Sequence, residues 1–145
     1  MTGYLSDIET LTLENSDYRR VLYTGSHLQL VLMTLKVGQE IGSETHATHD
    51  QFFRIEEGHG EIAINGTTRK IKDGDAIIVP AGACHNLMNK GKMPLRLYTL
   101  YSPPNHRDQL VEKRKAEANA SDEVFDGITM DAPPQPVTSP SPTTI

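Results

Sequence analysis

Two stretches of this chain concentrate residues that bind metals or move protons. In the first, Gly38 to Gly58 (GQEIGSETHATHDQFFRIEEG), Glu44 and His46 stand two apart, so on an extended strand both side chains leave the same face. Gln51 follows at the start of the β-rich run QFFRI, and the EEG after it reads as a turn. In the second, Gly74 to Asn89 (GDAIIVPAGACHNLMN), the apolar strand AIIV meets the breaker PAG and then His85. Glu44, His46, Gln51 and His85 offer carboxylate, imidazole and amide donors, a borderline-hard set that suits one divalent ion of zinc, iron, manganese or nickel. His49 and Asp50 form a rival set with His46, but their spacing suits a polar loop better than a strand face.

The spacing of these residues resembles a known family. Gly38-x5-Glu44-x-His46-x4-Gln51-x6-Gly58 is similar to the first motif of the cupin superfamily, usually G-x5-H-x-H-x3or4-E-x6-G. Gly74-x5-Pro80-x-Gly82-x2-His85-x3-Asn89 matches the second cupin motif at every fixed position. The chain resembles small single-domain members of the mannose-6-phosphate-isomerase-like group. The resemblance implies an all-β fold, a double-stranded β-helix (jelly-roll) barrel, and a metal on Glu44, His46, Gln51 and His85. In many small cupins an N-terminal strand joins a neighbouring subunit's sheet, so it also implies a homodimer. Two positions depart from the usual pattern, since Glu44 stands where a His is common and Gln51 where a Glu is common. The resulting set resembles that of zinc-binding phosphomannose isomerases with the Glu and Gln places exchanged.

The elements that must position these groups read as short strands. Ile8 to Leu13 (IETLTL) alternates apolar and polar, the period of a half-buried strand, and Tyr18 to Tyr23 suggests another. Leu28 to Val37 is nearly continuous in apolar, β-prone residues, which predicts a central strand covered on both faces. Alternation from Gln51 puts Phe53 and Ile55 on its face and Phe52 and Arg54 on the other. Asn65-Gly66 between alternating runs is a strong hairpin signal, and Asn89 is suited to tying down the turn that follows it. Leu95 to Tyr101 makes the last long strand, ended by Pro103 and Pro104. The expected organisation is N-terminal strands over 1–27, barrel over 28–105, a C-terminal helix or arm over 106–131, and a disordered Pro/Ser/Thr-rich tail over 132–145.

A chain of 145 residues is one domain's worth. Its net charge of −5 argues against a nucleic-acid partner, and the basic run at Glu112 to Lys115 reads as a solvated face. No apolar run is long enough to span a membrane, and the charged N-terminus lacks the core of a secretory signal. With one cysteine, Cys84, no intrachain disulfide forms, and a cytoplasmic location is expected. Cys84 should be a buried thiol facing away from His85. His27, His59 and His106 read as surface histidines, and one of Tyr98 and Tyr101 could present its hydroxyl to the cavity.

Two functions follow. The first is a mononuclear metal enzyme of isomerase, lyase or dioxygenase type, acting on a small polar chelating metabolite. The second is a non-catalytic cupin that binds metal or a small ligand as a sensor or accessory protein. No glycine-rich phosphate loop or compact Arg and Lys cluster accompanies the motifs, which disfavours a sugar phosphate as substrate.

Overall fold

Alternating burial along the strands builds two facing sheets. The computed structural model describes residues 3–131, with elements α1 (Ile8–Glu14), β1 (Arg19–Thr24), β2 (Gln29–Leu35), β3 (Glu44–Thr45), β4 (Asp50–Glu57), β5 (His59–Ile64), β6 (Thr67–Lys72), β7 (Ala76–Val79), β8 (Cys84–Asn89), β9 (Leu95–Ser102), β10 (Val111–Glu112) and α2 (Lys115–Ala120). One sheet has the order β10-β1-β2-β9-β4-β7 and the other β3-β8-β5-β6, with every pairing antiparallel. This is the jelly-roll arrangement that the sequence predicts. The inner faces meet in one core, to which the first sheet gives Val31, Met33, Phe53, Ile55 and Leu97 and the second Ile62, Ile71 and Leu87.

Local chemistry fixes the register. β2 is buried along nearly its whole length, whereas in β4 Gln51, Phe53 and Ile55 are buried and Phe52 and Arg54 only half so. Asn65 and Gly66 turn β5 into β6 with φ of 48° and 84°, the paired positive values that a tight two-residue hairpin requires. Gly60 allows β5 to lie against β8, because a Cβ there would stand 2.3 Å from the Met88 carbonyl oxygen. Asn89 closes the turn after β8 by donating to the carbonyls of Leu35 and Met93 and accepting from the Gly91 N–H.

Four expectations are corrected. Ile8 to Leu13 lies in a helix, since the Asp7 carboxylate caps the Thr10 N–H and competes successfully with the strand period. The homodimer expectation thereby loses the strand it rested on. Cys84 is exposed, because β8 turns His85 inward and leaves the outer face of its sheet open. Glu112 leaves the basic run to become buried against Arg19, with Oε1 accepting from Nη1 at 2.7 Å. His106 is buried too, held by partners that its neighbours in sequence do not announce.

The segment after β9 is an arm that returns across the barrel. β10 pairs with β1, Phe125 N–H donates to the Asn105 carbonyl, and Met130 N–H donates to the Thr24 carbonyl. No helix among the described residues is long and apolar enough to cross a membrane. The tail expected over 132–145 lies outside the described residues.

Candidate metal centre

Strand pairing brings the two motif halves together. β3 lies against β8 with Glu44 opposite His85, and the His46 carbonyl accepts from the Gly82 N–H at 2.9 Å. Glu44 Oε2 stands 3.3 Å from His46 Nε2 and 3.9 Å from His85 Nε2. One donor atom from each of Glu44, His46 and His85 lies within 4.8 Å of the others, a spread that one cation could bridge. Burial by itself would raise the Glu44 carboxyl, but the hydrogen bond from His46 and the charges of Arg19 and His85 hold it below the usual carboxylate range.

The polar groups of this cavity are held from behind. The Ala83 carbonyl can only accept, so its 3.2 Å contact places the proton of His85 on Nδ1 and leaves Nε2 with a free lone pair. That Nε2 is buried with no hydrogen-bond partner. Gln51 donates through Nε2 to Thr99 Oγ1 at 3.0 Å, and its Oε1 is likewise buried and unpaired. Gln51 pairs with Tyr101 across β4 and β9, and the Tyr101 ring packs edge-on against His46 with centroids 5.8 Å apart. Two buried acceptors without donors cost roughly 1–3 kcal/mol each, a cost that a cation would offset. The donor set present therefore fits a divalent ion.

The rival set does not assemble. His49 donates through Nε2 to the Pro104 carbonyl at 3.1 Å, and Asp50 Oδ1 accepts from the Ala81 N–H at 2.9 Å. Tyr98 packs on Phe52 on the far side of the sheet, which leaves Tyr101 as the tyrosine of the cavity. His27 and His59 are exposed.

Other polar residues near the site escape sequence reasoning. A cavity of about 160 Å³ adjoins Glu44 and is lined in part by Tyr18, Arg19, His106, Ser121 and Glu123. Arg19 comes from β1, and Ser121 and Glu123 come from the arm; none falls in a motif. His106 after SPPN was the only signal among them, and its burial could not be read from so irregular a stretch.

Comparison with known proteins agrees with this geometry. The Cupin domain family matches residues 31–101. The chain is 40% identical over 126 residues to the uncharacterized protein YrkC of Bacillus subtilis, spanning 83% of this chain and 68% of that one. The crystal structure of BH2720 from Bacillus halodurans superposes with a TM-score of 0.81 at 41% identity, covering 83% of this chain and 96% of that one. A segment of mannose-1-phosphate guanylyltransferase ManC from Salmonella typhimurium is 30% identical over 78 residues, covering 54% of this chain and 16% of that protein.

Proposed function

The chain belongs to the cupin superfamily, and from that premise we propose that Glu44, His46, Gln51 and His85 hold one divalent metal ion at which a small polar chelating metabolite is transformed. The observation that carries this reading is the pair of buried, unpaired acceptors, His85 Nε2 and Gln51 Oε1, beside a carboxylate kept ionised. A divalent ion bound there would act as a Lewis acid toward a chelating ligand. The chain's own residues do the rest. The Ala83 carbonyl and Thr99 hydroxyl orient His85 and Gln51, and supporting bonds of this kind set the direction of metal-binding side chains. Phe53, fully buried with its ring 6.1 Å from that of His85, keeps water from the back of the site. Isomerase, lyase and dioxygenase chemistry all use such a centre, and the cavity's size suits a small molecule, being below the ~300–1,000 Å³ of drug-sized pockets.

The test is a turnover screen. Zinc-, iron-, manganese- and nickel-loaded protein is incubated with small hydroxy acids, diketones and enediols, and products are followed by NMR. Turnover in wild type, absent from the His46→Ala, His85→Ala double variant, is the expected result. Metal and ligand binding without turnover across the screen would favour the non-catalytic cupin instead.

A further inference from the structure

His106 lies outside the residues matched by the family, yet it is one of the most firmly held side chains next to the cavity. Gln29, itself fully buried, grips its main chain from both sides: Oε1 accepts from the His106 N–H at 2.9 Å and Nε2 donates to the His106 carbonyl at 2.7 Å. The ring is fixed as well. Nδ1 donates to Glu123 Oε1 at 2.5 Å, and Glu123 Oε2 accepts from the Arg107 N–H at 2.9 Å. With the proton on Nδ1, Nε2 accepts from Tyr101 Oη at 3.3 Å and from Asn105 Nδ2 at 3.4 Å. Tyr101 stacks edge-on between the two histidines, 5.1 Å from the His106 ring and 5.8 Å from that of His46. A carboxylate, an imidazole and a hydroxyl thus stand in line, ending beside the candidate metal ligands.

We propose that Glu123, His106 and Tyr101 form a proton relay serving a ligand in the cavity beside Glu44, the ligand being a small chelating molecule with an acidic O–H or C–H next to its chelating oxygen. The relay rests on the metal-centre reading given above. In the step, the ligand's O–H or C–H bond breaks and its electron pair stays on the ligand. The proton joins Tyr101 Oη while the proton already on Tyr101 passes to His106 Nε2. Tyr101 ends as it began, and the imidazolium is balanced by the Glu123 carboxylate. Tyr101 meets the ligand, and His106 and Glu123 are positioning residues that act through it. Burial keeps the His106 ring neutral at rest, below the usual imidazole range, with Nε2 open to a proton. The charged groups around it are Glu123 from the arm, Glu112 from β10 and Arg19 from β1, with Tyr101 from β9 completing the set. The two carboxylates favour the imidazolium and Arg19 opposes it.

The experiment uses zinc-loaded full-length protein and acetohydroxamic acid, a chelator that loses a proton on binding metal. Calorimetry near neutral pH in buffers of different ionisation enthalpy counts protons released per ligand bound. Wild type should release close to none, while Tyr101→Phe and Glu123→Gln should release about one. Equal release from all three overturns the relay and leaves the metal centre standing. Zinc-free wild type, read by elemental analysis of the same samples, or zinc-loaded wild type that does not bind the probe, overturns the relay, and the first of these overturns the metal centre as well. A second measurement needs no variant: on adding the probe, the ¹⁵N signal of His106 Nε2 should move from the lone-pair to the protonated position, and a ring that stays neutral contradicts the proposal.

Discussion

At the scale of single residues, the buried ionisable groups outside the metal centre make stability depend on acidity. Burial is the largest influence on His106 and lowers its pKa from 6.5, so the unfolded chain binds a proton there more readily than the folded one. For Glu123 burial acts upward, but the bonds from His106 and the Arg107 N–H prevail and lower it from 4.5. With both folded values depressed, stability is present above the unfolded values and is lost as pH falls. The loss begins as pH drops through about 6.5 for the histidine and continues below about 4.5 for the carboxylate. Urea midpoints of wild type should therefore decline over the histidine's range, and His106→Gln should flatten that decline. An unchanged slope in the variant would contradict the assignment. These residues show where sequence reading stopped. Glu44, His46, Gln51 and His85 were legible because their spacing is fixed by strand period and tight turns, and the structure draws Glu44, His46 and His85 within bridging distance. His106 and Glu123 meet across an arm with no periodicity, so nothing local marks their contact.

At the scale of elements, the arm is attached to the barrel through chemistry as much as through its short β10 ladder. Arg19 and Glu112 face each other in register on β1 and β10, with side chains only 9% and 5% exposed. Removing one partner leaves a buried charge without its counterion, a defect that costs roughly 3–5 kcal/mol. Glu112→Gln should lower the unfolding free energy by about that amount in urea titration, while Glu112→Ala with Arg19→Met should recover part of it. A Glu112→Gln protein as stable as wild type would show that the ion pair does not anchor the arm. Neither the pair nor the arm's course was legible, because Glu112 sits in a run of charges that reads as solvated. The N-terminal helix illustrates the reverse. Ile8 to Leu13 fits a strand period, yet Asp7 supplies a cap and Thr12 Oγ1 donates back to the Ile8 carbonyl, so local hydrogen bonding outweighs alternation. The hairpin at Asn65-Gly66 and the alternation of β4 were readable because a required φ or a single buried face leaves few alternatives.

At the scale of the whole molecule, a cupin barrel supplies a rigid cavity and the segments outside residues 31–101 furnish part of its wall. Arg19, His106, Ser121 and Glu123 all come from those segments, so ligand selection belongs to β1 and the arm as much as to the barrel. The central claim is that the converging donors hold a metal. The most direct measurement is elemental analysis of full-length protein purified without an affinity tag or chelator, beside Glu44→Ala and the His46→Ala, His85→Ala double variant with circular dichroism as the folding control. The account predicts about one divalent ion per chain in wild type, less in Glu44→Ala and none in the folded double variant. Metal-free wild type that also fails to take up added divalent ions, or a double variant that retains a stoichiometric ion, would contradict it.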